Sequence, residues 1–434
     1  MEKTALVLAG GGSRGSYELG VWQALREMDI DIDIVTGTSI GAINGALIAQ
    51  GDYDTAVELW NKIETSHVFE VEMDEQLSLK QKVAQAYKTF FRNFVKSGGT
   101  DTHPLRQTLS AYFDEQKIRS SSIEYGVVTM EMDSRQPREL FCSDIPQGKM
   151  IDYILASASI YPAFKPYVID GVRYIDGCYH DNMPVKMALE RGATSVIAVD
   201  LEAFGVVRRE ELKLAREVKY LRSQRDLGPT LVFDHTVIRR NIRLGYLDTL
   251  KAYGAYEGGA FTYLPGFTAR LTELFSQTAL ARMLLPPEEH ATGWEHAFRG
   301  RIVKFLEDRG MSGPSVPGLA LICAETAGET FELSPEPIYS EQVWLKRLKA
   351  AVDAVKLPEG LLGNANVGSK RRLLDSLRET ATLLNRQVRT KFAALLVREM
   401  LRTEDGDLEK QLGAFSVLPD AFLGGAYLAL CDLI

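Results

Sequence analysis

The chain is poor in cysteine: Cys142, Cys178, Cys323 and Cys431 are scattered through 434 residues and form no Cys-x-x-Cys pair. That spacing suggests neither a disulfide framework nor a structural zinc site, and it fits reduced, intracellular thiols. A basic excess is missing too. Fifty Lys and Arg stand against 58 Asp and Glu, a net charge of -8, which argues against a general nucleic-acid binder working through a broad basic field. Long apolar runs are absent. A membrane span takes roughly 18 uncharged apolar residues, and the best stretch, "AFLGGAYLAL" near the C-terminus, falls well short. The opening "MEKTALVLAGGG" has an acid at position 2 and a short apolar run entering a glycine loop, so it reads as a first strand rather than a signal peptide. The expected protein is cytoplasmic and not integral to a membrane.

What is present is a globular composition, 45% hydrophobic and 25% charged, in a chain long enough for one large domain or two ordinary ones. "TALVLAG" reads as a strand, "GGGSRG" as a loop, "YELGVWQALREM" as a helix, "DIDIVTGTS" as a second strand and "IGAINGALIAQG" as a helix stopped by Gly51. This order opens a parallel α/β sheet, in which ligands sit at the carboxyl ends of the strands. "YGVVTMEM", "RELFCS", "VRYIDG" and "TSVIAVDL" continue as strands, and "KMIDYILASAS" and "PVKMALERGA" as helices, so the alternation persists to about Leu201. Beyond it, "REELKLAREVKYLRSQ", "VIRRNIRLGYLDTLKAYG", "TARLTELFSQTALARML", "SEQVWLKRLKAAVDAV" and "KRRLLDSLRETATLLNRQVRTKFAALLVREML" read as amphipathic helices, with "SGPSVPG" at 312–318 as a linker. The fold class expected is α/β: a parallel-type sheet sandwiched by helices over residues 1–260, then a mainly helical C-terminal region over 261–434.

Two glycine motifs hold the chemistry. Gly10-Gly11-Gly12-Ser13-Arg14-Gly15 follows the first strand and fits the dinucleotide fingerprint Gly-x-Gly-x-x-Gly. That reading needs an acid at the end of the second strand to hold a ribose. Here Asp31 and Asp33 precede the strand, and Gly37-Thr38-Ser39 occupies its end. The alternative is an oxyanion hole, because backbone N–H groups at a helix start can converge on one developing negative charge. Such donors need a nucleophile beside them. Gly37-Thr38-Ser39-Ile40-Gly41 supplies a serine at a strand-to-helix elbow, where the N–H of Ile40 would also aim at the oxyanion.

Ser39 then requires a base. Of the six histidines, His67, His103, His180, His235, His290 and His296, none sits at an evident strand end, and His180 comes nearest, four residues past Asp176. Asp176 itself ends the apolar strand of "YIDGCYHDN", where a carboxylate can lie at the site end of the sheet, although an Asp-Gly pair also makes an ordinary turn.

With Gly10–Gly15, Gly37–Gly41, "ASASIYPAFKP" at 156–166 and Asp176-Gly177 in this order, the first 200 residues resemble the patatin-like phospholipase family. "RRNIRLGYLDTLKAYG" looks like the tail of its bacterial members. The resemblance implies a Ser/Asp dyad without histidine, falling on Ser39 and Asp176, and a glycine loop with one basic residue, falling on Gly11, Gly12, Ser13 and Arg14. It implies an acyl-enzyme route to lipid ester hydrolysis with no metal and no cofactor. Cys178 departs from the pattern, since many members carry a third small residue there. The same machinery would serve a non-lipid esterase or thioesterase, and a noncatalytic interaction protein is the remaining class.

One further stretch bears on substrate access. In "KQKVAQAYKTFFRNFVK", Lys80–Lys96, helical spacing sets Val83, Tyr87, Phe90 and Phe94 on one stripe and Lys88, Arg92 and Lys96 on the opposite one, with no acid. Such a helix either packs its stripe on the core or lies in an anionic membrane interface.

Overall fold

The apolar run Thr4–Leu8 forms β1, buried along nearly its whole length, as suits a central strand of a sheet covered on both faces. This computed structural model describes residues 2–70, 76–276, 300, 304, 307, 315–355, 390–395, 397–398 and 419–431. The chain divides into two compact units, Met1–Tyr253 and Gly254–Ile434.

In the first unit, β1 leads through the glycine loop into α1 (Ser16–Glu27), β2 (Ile34–Thr38) and α2 (Ile40–Gln50). Helices α3 (Tyr53–Lys62), α4 (Thr65–Val68), α5 (Leu79–Ser97), α6 (His103–Tyr112) and α7 (Glu115–Ser120) precede β3 (Glu124–Glu131) and β4 (Pro137–Phe141). Then come α8 (Met150–Ser157), the hairpin of β5 (Tyr167–Ile169) and β6 (Val172–Asp176), α9 (Val185–Glu190), β7 (Ser195–Asp200), β8 (Glu217–Arg222) and α10 (His235–Ala252). The strands run in the order β5-β6-β3-β2-β1-β7-β8, with β4 also on β3. From β3 to β8 neighbouring strands are parallel. Because β4 and β6 both lie antiparallel to β3, the sheet is mixed, a refinement of the parallel-type sheet expected from the α/β alternation.

Register explains how distant residues meet. Leu8 pairs with Gly37, so the chain leaves β1 and β2 at the same level and the two glycine motifs sit side by side. On β3, Val128 pairs with Thr38 of β2 and Glu139 of β4, while Thr129 pairs with Asp176 of β6 and Arg138 of β4. A strand has two edges, and β4 fills one of them. β2 and β6 therefore share the other, meeting end to end where Thr38 gives way to Asp176.

Three sequence-based expectations are corrected. "REELKLAREVKYLRSQ" is not a helix: Arg209–Leu214 form a 3-10 turn and Glu217–Arg222 add β8 to the open edge of β7, where ladder hydrogen bonds outweigh helical spacing. "SGPSVPG" is not a linker in its described part, because Ser315 caps a helix starting at Val316, its side chain accepting the N–H of Gly318, and Pro317 suits that first turn. The stripe on α5 is also displaced. Lys82, Ala86 and Phe90 are the buried positions, Phe90 against Phe69 at 4.6 Å between ring centres, while Tyr87 and Phe94 are exposed.

The second unit contains a two-stranded pair, β9 (Thr262–Tyr263) with β10 (Ile338–Tyr339), and helices α11 (Phe267–Ser276), α12 (Val316–Thr330), α13 (Glu341–Asp353) and α14 (Pro419–Cys431). Its core gathers Phe261, Tyr263 and Tyr339 edge-on to Trp344, whose indole N–H donates to the Tyr427 hydroxyl at 3.0 Å. Residues 277–284 and 370–389 of the helices expected there lie outside the described residues. No helix of the described residues is long and apolar enough to cross a membrane.

Candidate active site

Ser39 stands at the junction of β2 and α2 with φ 57° and ψ −123°, a backbone region that residues with a side chain rarely occupy. The strain is held from both sides. Its carbonyl accepts the N–H groups of Ala42 and Ile43 at 3.0 and 3.2 Å, and its own N–H donates to the Ser157 hydroxyl at 2.9 Å. Gly41 makes the elbow possible, since a Cβ there would fall 2.4 Å from the carbonyl oxygen of Leu8 in β1.

Asp176, at the end of β6, is wholly buried. Burial pushes its carboxyl pKa up to about 6, against the pull of hydrogen bonds from the Cys178 N–H, 2.9 Å away, and from the Ser39 side chain. The pair thus joins a serine hydroxyl to a carboxylate partly stripped of water. Burial foremost, and then the Asp176 charge, push the Cys178 thiol far up and keep it protonated. His180 is turned elsewhere, its Nε2 3.1 Å from Glu139 Oε1, and no histidine is among the described residues lining the cavity over Ser39.

The glycine loop divides into donors and struts. The Ser13 N–H donates to the Thr230 carbonyl at 2.8 Å and the Arg14 N–H to that of Gly11 at 3.2 Å, so neither is available for a substrate oxygen. Among the described residues, the N–H groups of Gly11, Gly12 and Ile40 show no protein acceptor. Gly12 has φ 58°, and a Cβ on it would lie 2.0 Å from the Thr230 oxygen, so only glycine lets the loop lean on that carbonyl. The Arg14 guanidinium holds three more carbonyls, those of Gly228 at 2.7 Å, Leu201 at 3.1 Å and Glu202 at 2.7 Å. It straps the loop to the chain after β7, and it does not line the cavity.

Two positions within the quoted motifs had no assigned role. Ser157 holds the elbow N–H. Asn182 grips Gly10 from both directions: the Gly10 N–H donates to the Asn182 carbonyl at 3.1 Å and Asn182 Nδ2 donates to the Gly10 carbonyl at 3.2 Å.

A cavity of about 520 Å³ lies over Ser39 and Asp176. Its walls are mainly apolar, with Leu59, Trp60, Phe69, Phe90 and Phe164 deep inside, and Asp176 is the one charged group among the described lining residues. Because the lining also includes the exposed Phe91 and Phe204, the cavity reaches the surface between them.

These features define a mixed α/β fold, flanked by helices, with a serine elbow beside a buried aspartate. Residues 6–189 match the Patatin-like phospholipase family; the α/β unit carries a patatin-like phospholipase domain. Among the curated relatives, patatin-like phospholipase domain-containing protein 7 of Rattus norvegicus is 30% identical over 45% of this chain and 13% of its own length. Lysophospholipase NTE1 of Saccharomyces cerevisiae is 30% identical over 45% of this chain and 10% of its own. The chain thus spans only a small part of those relatives. The crystal structure of VipD from Legionella pneumophila is 15% identical, covering 99% of this chain and 91% of that one with a TM-score of 0.35.

Proposed function

We propose that the protein is a lipid acyl hydrolase in which Ser39 attacks an ester carbonyl and Asp176 takes the serine proton. The N–H groups of Gly11, Gly12 and Ile40 receive the developing oxyanion. Collapse of the tetrahedral intermediate breaks the ester bond, the alcohol leaves with the proton from Asp176, and an acyl group remains on Ser39. Water then attacks the acyl-enzyme, losing its proton to Asp176, and releases the fatty acid while Ser39 regains its proton. The observation that carries this reading is the placement of Ser39, on its strained elbow, and the buried Asp176 in the wall of one apolar cavity, with burial raising the carboxyl pKa to about 6. A base near the working pH removes a proton better than an ordinary aspartate of pKa ~3.9.

The cavity favours a long acyl chain over a short or polar ester, since its lining offers hydrocarbon contact and no basic group for a head group. The head group would remain at the mouth, consistent with peripheral contact through residues 80–96. Cysteines scattered without a Cys-x-x-Cys pair suit a reducing, cytoplasmic setting.

The test is labelling with a fluorophosphonate and mapping of the labelled residue, alongside turnover of the Ser39→Ala protein on long-chain phospholipid, lysophospholipid and acyl-thioester substrates. Label on Ser39 and loss of turnover by several orders of magnitude are expected, with long-chain oxygen esters preferred. Turnover by a clean Ser39→Ala protein would overturn the assignment, and a preference for thioesters would move the substrate class.

A further inference from the structure

We propose that the mouth of the Ser39 cavity is a two-sided docking face for an anionic lipid surface, built from α5 on one side and the Phe204 loop on the other. The choice of lipid as occupant rests on the hydrolase reading above.

Helix α5 has three sectors around its axis. Lys82, Ala86 and Phe90 face inward, with Lys82 paired to Asp234 at 3.0 Å. Tyr87, Phe91, Phe94 and Val95 face outward, with Phe91 71% and Val95 70% exposed. Lys88, Arg92 and Lys96 follow next around the helix, and the element contains no acid. Large aromatic and aliphatic side chains left in water beside a basic strip match the needs of the bilayer boundary, apolar tips in the acyl region and cations among anionic head groups. A buried protein interface would place fewer cations beside its apolar core. The sign of the strip runs against the chain's overall negative charge.

Phe204 supplies the second side. It lies far along the chain from α5, is 72% exposed, and lines the same cavity as Tyr87, Phe91 and Phe94. Its loop is fastened to the Asp176 turn, for the Val206 N–H donates to the Cys178 carbonyl at 2.9 Å and the Asn182 N–H to that of Val206 at 2.6 Å. An aromatic arch connects the two sides. Phe94 meets Tyr161 edge-on at 6.0 Å, the Tyr179 hydroxyl donates to the Tyr161 carbonyl, and Tyr179 meets Phe204 at 5.8 Å. A lipid held by both tips would have its ester above the mouth of the cavity that holds Ser39.

The experiment measures partition of the full chain onto vesicles by sedimentation, in a Ser39→Ala background so that the vesicles are not consumed. Vesicles are phosphatidylcholine alone or mixed with phosphatidylglycerol. Phe204→Ser and, separately, Phe91→Ser are expected to lower partition onto the anionic vesicles at least about tenfold each, with thermal unfolding unchanged. Lys88→Gln with Arg92→Gln is expected to lower it about 25-fold, at roughly fivefold per cation. With Ser39 restored, that charge pair, which lies outside the cavity, should keep full turnover of a soluble short-chain ester and lose turnover of anionic vesicles. Parental partition by Phe204→Ser would overturn the two-sided face. So would equal partition onto neutral and anionic vesicles, or equal loss on soluble and vesicular substrates by the charge pair. Sedimentation does not depend on turnover, so a protein that binds as expected yet hydrolyses no ester would sink the hydrolase reading and leave docking standing.

Discussion

Asn182 and Gly10 exchange two hydrogen bonds, one from the Gly10 N–H to the Asn182 carbonyl and one from the Asn182 side-chain amide to the Gly10 carbonyl, and so lock the peptide that enters the glycine loop to the turn that follows Asp176. The Asn182 carboxamide oxygen is buried with no partner among the described residues, an arrangement tolerated at a functional site more readily than elsewhere. Asn182→Ala removes the side-chain half of the lock and frees the loop to shift. Misplacement by about 1 Å can lower a rate on the order of 100-fold. Turnover should therefore fall roughly 10- to 100-fold with KM little changed, measured on a soluble ester. A rise in KM at constant turnover would mark Asn182 as a substrate contact instead of a positioning residue.

Strain at Ser39 separates stability from activity. Its φ of 57° at ψ −123° is worth on the order of 1–3 kcal/mol. Ser39→Gly can adopt it freely, whereas Ser39→Ala cannot. Both proteins should be inactive, and the glycine variant should be about 1 kcal/mol the more stable by urea unfolding. Equal stabilities would mean that the elbow stores no strain.

Rate and pH should be linked through Asp176. In the proposed mechanism only the carboxylate accepts the serine proton, so kcat/KM should fall with unit slope as pH drops below about 6, the value to which burial raises this group. Asp181, also buried and raised to about 7 mainly by burial, could imitate that limb, and it is distinguished by Asp181→Asn, which should leave the limb in place. The sign for stability is opposite to that of an ordinary salt-bridged aspartate. A carboxyl with a raised folded-state pKa stabilises most when protonated, and that contribution is lost as pH rises from about 4 through 6. Asp176→Asn should accordingly be inactive yet melt higher than the parent at pH 7.5, with the difference vanishing near pH 4.

Arg14 bears on both properties at once. Its guanidinium satisfies three carbonyl oxygens from two segments; one fully buried hydrogen bond to a charged group contributes about 1.5–3 kcal/mol, and the three do not add because water can replace them at these partly exposed carbonyls. Arg14→Ala should lose roughly 2–3 kcal/mol by urea unfolding and label more slowly with fluorophosphonate, because the N–H groups of Gly11 and Gly12 lose their support. A stable variant with slowed labelling would give Arg14 a direct role in charge stabilisation.

The strand-end logic was readable from the sequence because it depends on short-range order: "VLAG" and "VTGTS" each end a buried strand in glycine and small residues, and parallel pairing then sets them level. Long-range partners were not readable. Nothing near Ser13 announces that its N–H will be taken by Thr230, and Lys82 looks like any solvated lysine until Asp234, 152 residues on, draws it inside. The phase of α5 was missed for the same reason. Helical spacing finds an apolar arc, but the pairing of Lys82 and the packing of Phe90 on Phe69 choose which half of the arc is covered. Likewise the edge of β7, invisible in a one-dimensional pattern, turned "EVKYLR" into a strand.

The shared edge of β3 has a consequence for the newly made chain. Ser39 and its elbow are made before Asp176, which follows only after the whole of α3–β5 has been synthesised, several seconds later at about 5–20 residues per second. Until β6 closes against β3, the proposed nucleophile stands without its proposed base. On the proposed reading the order of translation is itself a safety catch, for no working hydrolase exists until the sheet is complete.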